Sequence, residues 1–136
     1  MKITLAQLNP VVGDVSGNLA KVVATLEQEQ QASDLVVFSE LFLSGYPPRD
    51  LLEKPALLAL VQEALDHLVT LSARYPGTGV LVGAPLPTGR DTGKGLCNCA
   101  VLVHQGQVLL RQAKSLLHTY DVFDETRHFE DRKSVV

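Results

Sequence analysis

Strand-like and helix-like apolar patterns alternate along the chain, and only a few architectures accommodate that order. Alternating or continuously apolar segments predict strands, and Asn9-Pro10 is expected to end the first because the residue before proline leaves helical geometry. The predicted strands cover residues 2–8, 35–38, 79–85, 96–104 and 107–114. The segment LVVF at 35–38 has no polar alternation, which predicts a short strand buried on both faces.

Two amphipathic helices are predicted between the first three strands. The first has apolar residues at helical spacing, and its candidate N-caps are Asp14, Ser16 and Asn18. The second starts near Pro55, a residue suited to a first helical turn. The apolar face of the first consists of Leu19, Val22, Val23 and Leu26, and that of the second of Leu57, Leu60, Val61, Ala64, Leu65, Leu68 and Leu71.

The resulting order is β-α-β-α-β followed by a hairpin across Gln105-Gly106. Strands that alternate with helices favour an α/β fold in which helices pack on a sheet. The 136 residues fit one domain with a real core.

Composition argues against nucleic-acid and membrane partners. The net charge is −3, the basic residues are scattered, and the longest apolar run, at 56–61, is too short to cross a bilayer. Cys97 and Cys99 are one residue apart and do not suggest a disulfide framework, so we expect a cytoplasmic protein.

Glu40 stands between two apolar runs just after a predicted strand, at the kind of edge where α/β sheets place functional groups. It is either a general base or a strand-end carboxylate that reaches solvent or caps the next turn. Lys114, at the end of the last predicted strand, either stabilises negative charge developing on a carbonyl oxygen or is a solvated edge lysine.

The other candidate groups are weaker. A lone C-x-C indicates buried core thiols more than a metal site. The histidines have no ligand spacing, so no metal site is predicted. The loop TGRDTGKGL at 88–96 lacks the spacing of a phosphate-binding loop.

Two longer segments resemble a known family. VVFSELFLSGYPPRDLL (36–52) resembles the glutamate motif of the nitrilase superfamily, in its glutamine-dependent NAD synthetase branch, and KSLLHTYDVFDETRHFE (114–130) resembles that branch's lysine motif. ITLAQLNPVVGDVSGN and VGAP are similar to the same family's first and third strands. The resemblance implies a partial nitrilase-like α-β-β-α sandwich on a mixed sheet. Residues 1–136 would be the N-terminal portion of a glutaminase domain, with the synthetase domain absent.

The resemblance also implies roles for individual residues. Glu40 would be the base that activates a cysteine thiol, Lys114 would stabilise the tetrahedral intermediate, and Glu125 would hold the lysine and the amide. The family's nucleophilic cysteine follows the lysine motif, whereas no cysteine follows Lys114 here, so we expect this chain alone to be inactive. The glutamine pocket would be lined by Tyr46, Tyr120 and Phe123.

By resemblance, the reaction is hydrolysis of the glutamine amide. The ammonia would serve ATP-dependent conversion of nicotinic acid adenine dinucleotide to NAD. ATP and Mg²⁺ are expected only in the absent synthetase domain, and no cofactor is expected in this segment. Expected partners are glutamine, the remaining parts of the enzyme and further copies of the chain. The alternatives are a non-catalytic assembly module with an exposed sheet face, or another nitrilase-type amidohydrolase. The tail EDRKSVV fits the family poorly.

Overall fold

The computed structural model describes residues 1–89, 95–115, 117 and 125–130. The predicted strands and helices are present in the predicted order. They are β1 (Ile3–Ala6), α1 (Val15–Glu29), β2 (Leu35–Phe38), α2 (Pro55–Ser72), β3 (Gly79–Pro87), β4 (Leu96–His104) and β5 (Gln107–Ala113). Among the described residues, the short 3₁₀ helix Arg49–Glu53 lies between β2 and α2, and the short 3₁₀ helix Glu125–Arg127 follows β5.

The strands form one mixed sheet in the order β1-β2-β3-β4-β5. β1, β2 and β3 run parallel, joined by the helical crossovers, and β4 and β5 are antiparallel to their neighbours. Gln105 and Gly106 both have positive φ, at 49° and 76°, as a two-residue hairpin turn with the twist of the sheet requires.

Strand lengths differ from the prediction for local reasons. β1 ends at Ala6, before Asn9-Pro10, because Gln7 N and Leu8 N bond back to carbonyls only two residues earlier and turn the chain away. β3 extends to Pro87 because it pairs with β4 as far as Leu96. The predicted α/β fold with helices on a mixed sheet is confirmed.

The helix starts follow from their first residues. Of the three candidate N-caps of α1, Asp14 has that role: its Oδ1 accepts from Gly17 N at 3.0 Å. α2 begins at Pro55, where the missing N–H has no cost. Leu60, predicted on the apolar stripe of α2, is half exposed and lies outside the buried face.

Both helices cover the same face of the sheet. Alternate residues of the strands point to this face, and they form one apolar core with α1 residues such as Val22 and α2 residues such as Leu68. The strand members of this core include Val36, Phe38, Val80, Val82, Ala84, Leu86, Cys97, Cys99, Val101 and Val103.

The opposite face carries an apolar row without a helical layer among the described residues. One register row crosses all five strands through Leu5, Val37, Leu81, Leu102 and Leu110. Leu5 is 74% exposed and Leu110 52%, and the other three are half-buried. The prediction that β2 is buried on both faces is therefore wrong, because continuous apolar character does not distinguish one covered face from two.

This row predicts association through the uncovered face. Replacing Leu5 with Glu should weaken self-association and reduce binding of an apolar dye, because burying a leucine contributes about 1.5–3 kcal/mol. Light scattering and dye fluorescence at several concentrations measure both. Leu60→Glu is the matched control, since Leu60 is exposed on the outer side of α2. Equal effects of the two substitutions would contradict the assignment to the sheet face.

Candidate active site

Glu40 points outward from a loop whose apolar side chains are buried. β2 ends at Phe38, and the next apolar residues, Leu41, Phe42 and Leu43, are fully buried. The side chain of Glu40 is 42% exposed. The apolar runs around Glu40 therefore anchor the loop, and the carboxylate lies at the carboxyl end of a parallel strand, where α/β sheets form a crevice.

The loop that carries Glu40 passes directly against β3. A Cβ built on Gly83 would lie 2.8 Å from Ser39 O and 2.9 Å from the Glu40 carbonyl carbon, and closer still to Leu41 N. Leu43 N donates to Gly83 O at 3.2 Å. Only glycine fits at position 83 without displacing the backbone on both sides of Glu40.

A buried amide fixes the other side of the same loop. Asn18 of α1 is fully buried, and its side chain accepts from Val11 N at 2.8 Å. It donates to Val11 O at 2.9 Å and to Leu43 O at 3.2 Å. Asn18 therefore connects three segments and satisfies backbone groups that burial would otherwise leave unpaired.

Lys114 lies next to Glu40 because it directly follows β5, which pairs with β4. Its backbone N donates to Asn98 O at 2.8 Å as the chain leaves β5. Its Nζ donates to Glu40 Oε1 at 2.8 Å, and the lysine side chain is 24% exposed. The structure thus brings together two residues that are far apart in sequence.

Asn98 of β4 is a third polar group at this site. It is 4% exposed, and its Nδ2 donates to the same Oε1 of Glu40 at 2.5 Å. The two donors hold one carboxylate oxygen in place, and charge-assisted bonds of this kind are strong. Asn98 was not predicted from the sequence. The available signal was a single amide side chain between two cysteines that were expected in the core, which places the amide on the opposite face of the strand.

These three side chains lie on a shallow cavity of about 300 Å³. Its walls are otherwise mostly apolar or small, including Leu81, Gly83 and Ala100. A small cleft with an apolar wall and a few convergent polar groups suits a small ligand. A carboxylate that can accept a proton beside a cation that can offset developing negative charge suits proton transfer and acyl chemistry.

The chain's two cysteines face away from Glu40. Cys97 and Cys99 belong to the helix-side core, whereas Asn98 between them points to the opposite face. Burial, reinforced by the neighbouring Cys97 thiol and opposed by Arg111, raises the pKa of Cys99 to about 11. The prediction of buried core thiols is confirmed, and neither cysteine is placed as a nucleophile.

The other predicted site residues are Tyr46, Glu125, Tyr120 and Phe123. Tyr46 packs against a second small apolar cluster formed by Leu41, Leu52 and Phe129. The backbone of Glu125 begins the short 3₁₀ helix Glu125–Arg127. Tyr120 and Phe123 lie outside the described residues. Of the predicted catalytic residues, the described side-chain contacts thus join Glu40 to Lys114.

Comparison with known proteins decides the family. The carbon-nitrogen hydrolase family matches residues 2–136. The chain belongs to this family. Among individual proteins, it is 43% identical over 131 residues to the glutamine-dependent NAD(+) synthetase of Synechocystis sp., covering 93% of this chain and 23% of that protein. It is 39% identical over 129 residues to the synthetase of the same name from Aquifex aeolicus, covering 95% and 22%.

Solved structures agree with this assignment. The glutamine-dependent NAD+ synthetase of Acinetobacter baumannii, solved with ADP, superimposes with a TM-score of 0.84 at 32% identity. That match covers 98% of this chain and 24% of the other. An amidase of the nitrilase superfamily from Nesterenkonia shares the fold, with a TM-score of 0.80 at 22% identity over 98% and 49% of the chains. The expected nitrilase-like fold class is confirmed.

The chain spans less than a quarter of the length of the synthetases that it matches. Within the described residues, neither helix combines the length and the apolar character that a membrane span needs.

Gly83→Ala should displace Glu40 and destabilise the fold by about 1–3 kcal/mol, because the new methyl group meets backbone rather than a movable side chain. Urea unfolding measures the loss, and a crystal structure or NMR contacts between residues 40 and 114 measure the displacement. The control is Gly77→Ala, where a Cβ meets nothing within 4 Å. Similar stability of the two variants would contradict the close approach.

Cys99 should react slowly with an alkylating reagent in the folded chain. A pKa raised from 9.0 to about 11 leaves roughly a hundredfold less thiolate near pH 8 than in the unfolded chain, and burial slows access further. Tandem mass spectrometry of the digested wild-type chain, which distinguishes labelling at Cys99 from labelling at Cys97, measures the rate with and without denaturant. The rate should rise with pH up to about 11 while the chain stays folded. Fast labelling of the folded chain at neutral pH would contradict this.

Proposed function

We propose that the chain is the N-terminal portion of the glutaminase domain of a glutamine-dependent NAD synthetase. The observation that carries this proposal is the contact between Glu40 Oε1 and Lys114 Nζ, at 2.8 Å, on the small cavity beside Asn98. Both residues lie in the segments that resemble the glutamate and lysine motifs of that branch. The names of the similar proteins support the same branch.

In this proposal, Glu40 accepts the proton of a cysteine thiol, and the sulfur attacks the side-chain amide carbon of glutamine. Lys114 Nζ offsets the negative charge that develops on the carbonyl oxygen. The C–N bond then breaks, and Glu40 returns the proton to the departing ammonia. Water next cleaves the thioester, which releases glutamate and restores the thiol.

The nucleophile comes from outside these 136 residues, because both cysteines of the chain face the helix-side core. Asn98 is a positioning residue that orients the carboxylate through Oε1. Glu125 would hold the lysine and the substrate amide. Tyr46, Tyr120 and Phe123 would line the glutamine pocket.

The ammonia would be used elsewhere in the enzyme, to amidate nicotinic acid adenine dinucleotide with ATP. By resemblance to this branch, ATP and Mg²⁺ would be bound by the synthetase domain and not by this segment. The row from Leu5 to Leu110 supports a further part of the proposal. The remaining portion of the glutaminase domain would pack its own sheet on this face, as two-sheet sandwiches do. Assembly of several copies and a cytoplasmic location belong to the same proposal.

A chimeric synthetase tests this function. Residues 1–130 replace the matching segment of the Synechocystis enzyme, and NAD formation is measured with glutamine and, separately, with ammonium as the nitrogen source. Glu40→Gln should lower the glutamine-dependent rate by about 10²–10⁴-fold because the base is lost. It should leave the ammonium-dependent rate unchanged. Glu63→Gln is the control, because it removes the same charge from an exposed position on α2.

The ammonium-dependent rate also reports whether the chimera is folded. If Glu40→Gln and Glu63→Gln supported equal glutamine-dependent rates, Glu40 would not be the base. The isolated chain should release no ammonia from glutamine, and release at the rate of a complete synthetase would place a nucleophile within these residues.

The uncovered sheet face favours one other candidate function, a non-catalytic assembly module. Exposed apolar residues such as Leu5 and Leu110 suit a surface that pairs with another sheet. Under this alternative the chimera would assemble normally, and Glu40→Gln would have no effect on either rate. Unchanged assembly after Leu5→Glu would remove the support for this module.

A further inference from the structure

Away from Glu40, a histidine and two carboxylates converge across a long sequence separation. Asp50 and Glu53 lie in the 3₁₀ helix Arg49–Glu53, where residues three apart lie on the same side. His128 follows the short 3₁₀ helix Glu125–Arg127. One ligand atom from each of these residues lies within 4.8 Å of the other two. Asp50, Glu53 and His128 are called the His128 cluster below.

The imidazole of His128 is nine-tenths buried and lacks a hydrogen bond at Nε2. The side chain is 10% exposed, and the buried Nε2 atom has no hydrogen-bond partner. A buried nitrogen without a partner is costly unless something else satisfies it. Nε2 points at Asp50 Oδ1, 3.5 Å away, and at Glu53 Oε1, 3.6 Å away.

These separations are too long for good hydrogen bonds, whose N···O distances are about 2.7–3.2 Å. They match the distance between neighbouring ligands around a tetrahedral metal ion. With Zn–N and Zn–O bonds of about 2.0–2.2 Å, such ligand atoms lie roughly 3.3–3.5 Å apart. The spacing therefore suits atoms that meet through an ion better than atoms that bond directly.

We propose that the His128 cluster binds a divalent transition-metal ion of the Zn²⁺ type. His128 Nε2, Asp50 Oδ1 and Glu53 Oε1 are the protein ligands, and water completes the coordination from the exposed side of the carboxylates. The imidazole selects against Mg²⁺ and Ca²⁺, which prefer oxygen ligands, and in favour of Zn²⁺ and similar ions. Two carboxylate charges balance the charge of the ion.

Arg127 is the competing cation at this site. Its Nη1 lies 3.8 Å from Asp50 Oδ1, but both side chains are mostly exposed, at 59% and 69%. An exposed pair of this kind contributes little and yields to a stronger ligand. The exposed carboxylates are also free to adjust around the buried imidazole.

A bound ion would add a cross-link between two segments that pack through one small apolar cluster. Phe129 packs with Leu41 and Leu52 in the second small cluster, and Glu130 N donates to Leu96 O at 2.8 Å. The ion would tie residues 125–130 to the 3₁₀ helix Arg49–Glu53. The metal would thus act as a structural cross-link, independent of the proposed glutaminase activity.

Calorimetric titration of Zn²⁺ into the EDTA-treated, dialysed chain tests this inference, with thermal unfolding as a second readout. Wild type should bind one ion and unfold at a higher temperature with Zn²⁺. Glu53→Gln should weaken binding by at least about tenfold, and Glu63→Gln should not. Glu53 is 59% exposed, so its substitution does not endanger folding. His128→Gln should abolish binding, and His67→Gln, on an exposed position of α2, should not.

Cys97→Ser distinguishes this site from the thiols and should leave binding unchanged. Absence of saturable Zn²⁺ binding would overturn the proposal. So would equal binding by wild type and Glu53→Gln, or loss of binding in Cys97→Ser.

Discussion

The close packing of residues 39–41 against Gly83 is the constraint on which the site depends. The segment after β2 crosses β3 at backbone contact distance, and this is possible only because position 83 has no side chain. The crossing turns Leu41, Phe42 and Leu43 into the interior and leaves Glu40 facing the cavity. Burial of the apolar neighbours and exposure of the carboxylate are thus two results of the same backbone path.

The sheet then brings the remaining groups to that carboxylate. Antiparallel pairing of β4 with β3 places Asn98 opposite Pro85, and pairing of β5 with β4 ends where Lys114 N bonds Asn98 O. Asn98 and Lys114 both donate to Glu40 Oε1. Because each contact depends on register, a shift of one residue would move Asn98 to the core and a cysteine to the site.

In the described part of the chain the helices cover one side of this sheet, and that asymmetry connects the fold with the proposed function. One face holds a continuous core, whereas the other has a row of apolar residues from Leu5 to Leu110 that is partly open to solvent. Under the proposed function, the rest of a longer glutaminase domain would cover this face, since the chain spans less than a quarter of the relatives it matches. The proposed function likewise takes its nucleophile from residues outside this chain.

Sequence alone determined the order of strands and helices. Each element buries one face, and the spacing of its apolar residues therefore differs between a strand and a helix. It also singled out Glu40 and Lys114, through their positions at strand ends and through the family motifs. It did not predict that β2 is covered on one face only or that Leu60 is half exposed, since periodicity does not reveal how many layers surround an element. Asn98 beside Glu40, and His128 beside Asp50 and Glu53, were decided only by the tertiary structure. Their partners are tens of residues away, and only strand register and loop packing bring such groups within bonding distance.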